Sequence, residues 1–241
     1  MIEREIEITT ADGTMPTFLF HPEHGGPHPV VLYLMDAPSI RPALRDMASR
    51  LATAGYYVML PYLYYRGGPY REFGQSDEDM HARQELMATV TPSGIVVDAE
   101  ALLAAADADP AAAPGPAGVV GFCMSGGLAL VVARSFPERI RAAASIHGAW
   151  LVRDTPDSPH LGLDKVQAEV YFAWCTGDAT APEDTIPVME EALQKAGVRY
   201  TIDVIDYAVH GFAPAGPRYD RRASELHWER VHALLRRNLA S

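Results

Sequence analysis

The chain has 241 residues, 48% of them apolar and 21% charged, which suits one large soluble-type core rather than a fibrous or disordered polymer. Its formal net charge of −11 lacks the basic footprint that nucleic acid requires, so nucleic acid is not an expected partner. No apolar run approaches the roughly 18–20 residues of a membrane helix, no signal-like apolar core opens the chain, and the cysteines, Cys123 and Cys175, form neither a disulfide framework nor a zinc site. A cytoplasmic chain with reduced thiols and no membrane partner is expected.

Residues 2–8 alternate apolar and charged, the period of a half-buried strand. Ala11-Asp12-Gly13-Thr14 is a hairpin-type turn leading into a second strand over 15–20, and a Pro/Gly/His-rich connection follows over 21–29. The continuous apolar run 30–35 reads as a strand buried on both faces. From there the pattern alternates. Helices are predicted over 41–54, 77–87, 93–107, 125–135, 186–196 and 223–238, and strands over 56–60, 117–121, 140–146, 169–174 and 199–205. Ala111–Pro116 reads as a loop entering a strand rather than a domain boundary. The expectation is a single α/β domain over 1–241, a mostly parallel sheet with helices on both faces, its working residues in loops at the carboxyl ends of strands.

The segment Val119-Val120-Gly121-Phe122-Cys123-Met124-Ser125-Gly126-Gly127 runs a buried strand through a cysteine flanked by small residues into a helix. That is the pattern of a nucleophile elbow, with cysteine where serine is commoner. The turn is tight enough to demand small residues at 121 and 125, and the helix N-terminus beyond it favours a thiolate. Taken alone, Cys123 could equally be a small buried hydrophobe. Two further segments argue otherwise: a buried strand ending in Gly177-Asp178, and His210 in a loop after the last predicted strand. Nucleophile, acid, histidine is the order of the α/β-hydrolases. An imidazole can take the thiol proton and later assist breakdown of an acyl-enzyme, and a carboxylate fixes its tautomer.

On these motifs the chain resembles the dienelactone hydrolases, or carboxymethylenebutenolidases, over nearly its whole length. The similarity rests on Gly121–Gly127, on Gly177-Asp178-Ala179-Thr180-Ala181-Pro182, on His210-Gly211-Phe212, and on Gly55–Pro61. The resemblance implies an α/β-hydrolase fold, Cys123 as nucleophile, His210 as base and Asp178 as its orienting acid. It also implies a small lactone or enol ester as substrate and no metal or organic cofactor.

The sequence departs from the family pattern at two places. Ser125 stands where the family has glycine, which adds a hydroxyl near the thiol and makes Ser125 a weak rival nucleophile. Asp36 stands where the family carries a glutamate that influences the resting thiol, and either modulates Cys123 or braces its own loop. Backbone N–H groups of Met124 and Ala37 are the candidate oxyanion hole, since Pro38 has none to give. Arg83 lies where the family places an arginine for a substrate carboxylate; Arg41 and Arg66 are weaker candidates. The His21, His24 and His28 loop suits no familiar metal site. His147, after a strand and before Gly148, is within possible reach of the pocket but reads rather as structural or solvent-facing, and Cys175 as an inert core thiol. A general carboxylesterase or thioesterase, and a ligand-binding protein with a retired site, remain open as alternatives.

Overall fold

The computed structural model describes residues 1–74 and 76–239. It divides within one strand into two compact units, 1–115 and 116–241.

In the first unit, β1 (Ile2–Thr10) and β2 (Gly13–His21) form an antiparallel hairpin in which Thr10 faces Gly13. The Thr10 hydroxyl accepts from the Asp12 N–H at 3.0 Å, a side-chain bond that closes the turn. β3 (His28–Leu34) and β4 (Tyr57–Pro61) pair in parallel, and β4 pairs antiparallel with β2, giving the order β1-β2-β4-β3. α1 (Pro42–Thr53) crosses from β3 to β4. Proline at its start needs no hydrogen bond for its missing N–H, and Leu44, Met47, Ala48 and Leu51 line its buried face. α2 (Asp77–Met87) buries no residue, whereas α3 (Pro92–Asp107) buries Ile95, Ala99, Leu102 and Leu103 together with Asp98. That carboxylate, 1% exposed, receives the Arg66 guanidinium at 2.8 and 3.1 Å and the Tyr65 hydroxyl at 2.7 Å. A buried charge so fully paired can be kept in the core.

In the second unit the strands run in parallel in the order β5 (Ala112–Phe122), β6 (Ile140–Ile146), β7 (Glu169–Cys175) and β8 (Tyr200–Ile205). α4 (Gly126–Ser135) packs on β6, and α6 (Arg221–Leu239) on β6 and β7, while α5 (Ile186–Ala196) precedes β8. Every residue of β7 is buried, as expected of a strand covered on both faces.

The fold class is as expected, mostly parallel α/β. One expectation fails in detail. β5 begins at Ala112, so residues 112–116 belong to the strand rather than to a loop before it. Prolines 114 and 116 disfavour helix in the residues before them, and the Ala111 carbonyl accepts from the His28 N–H at 2.8 Å. No single helix among the described residues is long and apolar enough to cross a membrane.

Candidate active site

The end of β5 and the start of α4 hold Cys123. Phe122 is extended (φ −113°), Cys123 turns left-handed (φ 54°), and a single 3-10 turn over Cys123–Ser125 leads into α4. A left-handed cysteine is strained and needs support from its surroundings. The turn around it is crowded. A Cβ on Gly121 would lie 2.0 Å from the Ser125 carbonyl oxygen, and one on Gly126 would lie 2.4 Å from the Gly148 Cα. Cys123 is partly exposed, whereas Ser125 is fully buried, so the thiol and not the hydroxyl faces outward.

His210 completes the geometry. Its Nε2 lies 3.0 Å from the Cys123 Sγ, and its Nδ1 lies 2.6 Å from Asp178 Oδ2. The other Asp178 oxygen accepts from the Thr180 N–H at 2.8 Å and the Thr180 hydroxyl at 2.7 Å. Burial opposes the Asp178 charge, yet the hydrogen bonds from His210 and Thr180 outweigh it and hold the carboxyl at about 2. Burial likewise opposes a charge on His210, but its bonds to Asp178 and Cys123 raise its pKa to about 10.

One four-residue strap after β6 contacts Cys123, His210 and Thr180, the residue that donates to Asp178. The Ala149 N–H donates to the Cys123 carbonyl at 2.8 Å, and the Trp150 N–H donates to the Thr180 carbonyl at 2.7 Å. The His147 ring packs at 5.1 Å on that of His210. His147 and Trp150 are both left-handed, with φ of 38° and 53°.

The dienelactone hydrolase family model matches residues 15–239. The chain belongs to the dienelactone hydrolase family. Family membership makes it a carboxylic ester hydrolase. It is 29% identical over 245 residues to a Synechocystis protein provisionally named a carboxymethylenebutenolidase, covering 97% of this chain and 99% of that one. A Methylorubrum extorquens protein with the same provisional name is 27% identical, covering 96% and 79% of the two chains. Among solved structures, a provisionally named dienelactone hydrolase from Klebsiella pneumoniae superposes with a TM-score of 0.85 at 24% identity, covering 97% of both chains. That likeness shows the α/β-hydrolase fold of this family.

The other candidates fall as follows. Asp36, 4% exposed, is gripped by both terminal nitrogens of Arg41 at 2.6 and 2.9 Å. The Ala37 carbonyl accepts from the Tyr64 hydroxyl at 2.8 Å, and Met124 is buried in the 3-10 turn of the elbow. Arg66 is held by Asp98 and Asp12, so it and Arg41 are both committed to ion pairs. Arg83, half-buried on α2, makes no ion pair among the described residues. Cys175 is buried, and burial followed by the charge of Asp178 pushes its thiol up to about 12. No group of side chains suited to a metal occurs among the described residues.

Sequence reasoning missed one residue here, Thr180, and discounted another, His147. Thr180 was legible as the second residue after an aspartate, a spacing that lets the Asp side chain accept from the backbone two positions on. His147 carried only the signal of following a strand; the structure buries it against His210.

Proposed function

We propose that the protein hydrolyses a small lactone or enol ester through Cys123, with His210 as base and Asp178 as the group that orients it. The observation carrying this reading is the unbroken line Sγ–imidazole–carboxylate, at 3.0 and 2.6 Å, on a strained elbow. His210 takes the Cys123 thiol proton, Sγ adds to the carbonyl carbon, and the oxyanion forms against backbone N–H groups, for which Met124 and Ala37 are the candidates. The carbon–oxygen bond then breaks, and the leaving oxygen takes the proton from His210. The product is a thioester on Cys123. Water attacks it, His210 accepts the water proton, and release of the acid returns the thiol pair. In a lactone the leaving oxygen stays tethered to the acyl group. No metal or organic cofactor is needed for these steps, and the reduced thiol suits a cytoplasmic setting.

The test is ultraviolet-monitored hydrolysis of a dienelactone beside a neutral phenyl ester, with intact mass taken at early times. Expected are dienelactone turnover and a transient acyl adduct on Cys123 that hydroxylamine removes. Turnover of the phenyl ester alone would keep the mechanism and discard the lactone, and turnover of neither would sink the reading.

Asp36 is proposed to restrain the thiol and Arg83 to hold a substrate carboxylate. If Asp36 restrains the thiol, Asp36→Ala speeds alkylation of Cys123 at neutral pH by about threefold to tenfold, the scale of up to one pKa unit. An unchanged rate would leave Asp36 with its Arg41 partnership alone.

A further inference from the structure

His147 combines features that a packing residue rarely brings together. It is 1% exposed, and neither ring nitrogen has a hydrogen-bond partner among the described residues. Its backbone is left-handed at φ 38°, a region uncommon outside glycine although histidine is among the residues enriched there. Its main-chain N–H is tied to the Ala173 carbonyl at 2.9 Å, which fixes where the ring starts.

The ring is boxed on one side by the catalytic candidate. It lies 5.1 Å from the His210 ring at an interplanar angle of 61°, an edge-to-face pair. Phe212 at 5.1 Å and Phe122 at 5.9 Å close the other sides. Hydrogen bonds at Nδ1 and Nε2 fix two points of the His210 ring, but they leave its plane free to tilt about the line between them. A ring packed against that plane supplies the missing constraint.

We propose that His147 is a positioning residue for His210, holding the imidazole plane in register between Asp178 and Cys123. The inference rests on the reading of those three residues as the reacting group. The titratable groups around His147 are His210 and Asp178 on the triad side and His227 on α6. Burial, then His210 and His227, push the His147 pKa well below that of an ordinary histidine. The ring is therefore neutral and does not repel an imidazolium at His210.

Alkylation of Cys123 by iodoacetamide, followed by intact mass between pH 5 and 10, reads the thiol–imidazole pair without any ester. His147→Asn suits the left-handed backbone but removes the ring; His147→Gly is a second ringless variant should the amide fail to fold. In either, alkylation at pH 6 is expected to slow about tenfold, with the profile moved up by about one pH unit. His147→Phe keeps a ring and loses the nitrogens, and should stay within about threefold of wild type. A ringless variant that superimposes on wild type overturns the proposal, and so does a Phe variant as slow as the ringless ones. Should wild type label Cys123 no faster than Cys175, the triad reading itself falls and this proposal with it.

Discussion

Replacing Cys123 by alanine is expected to lower ester turnover by about 10⁴-fold or more, the scale seen when a nucleophile acting as part of a unit is removed. No neighbouring group can stand in. Ser125 is fully buried at the end of the 3-10 turn, and Cys175 is buried in β7 with its thiol pushed up to about 12, far from the attacking form at neutral pH. His210 and Asp178 would remain, able to bind and orient water but without a nucleophile that splits the reaction into two steps. Stability should hardly change, within about 1 kcal/mol, because Cys123 is partly exposed and loses only a sulfur. Initial rates and denaturant midpoints of the variant beside wild type provide the check. Activity within tenfold of wild type would show that the bond is broken elsewhere.

A change one turn away should have the opposite signature. Gly121→Ala adds a single methyl group, but its Cβ would stand 2.0 Å from the Ser125 carbonyl oxygen and 2.6 Å from the carbonyl carbon. Both are backbone atoms at the start of α4, so no side chain can rotate away. Relief requires shifting the helix from β5, and overpacking that moves backbone costs typically about 1–3 kcal/mol. Poor expression, or an unfolding midpoint lowered by that amount, is expected. Gly68→Ala serves as the comparison, since nothing lies within 4 Å of its added Cβ and its effect should stay within about 0.5 kcal/mol. Equal stability of the two variants would mean that the elbow is not as crowded as its geometry implies.

Most strands and helices were legible because their burial is one-dimensional in the sequence. Val30–Leu34 and Val170–Cys175 are continuous apolar runs, and Leu44, Met47, Ala48 and Leu51 recur at helical spacing on α1. The elbow was legible for a different reason: Gly121 is required by a clash between residues four apart, so its signature is local. Asp178 and His210 could be ordered along the chain, but their 2.6 Å contact depends on strands β7 and β8 lying side by side. His147 was hidden more deeply. A histidine after a strand looks alike whether it faces water or another ring, and only the left-handed backbone at 147 decides which. Asp36 shows the same limit, since its Arg41 partner sits five residues on and could equally have pointed outward.

The strap from His147 to Trp150 has a mechanical consequence. Its three tethers end on the Cys123 carbonyl, the Thr180 carbonyl and the His210 ring. A thermal excursion of this tetrapeptide therefore moves those three points along one coordinate, preserving their spacing for small amplitudes and breaking it at all three together for large ones. Loss of competence on heating would then be a single concerted event, ahead of the melting of the buried strands beneath it.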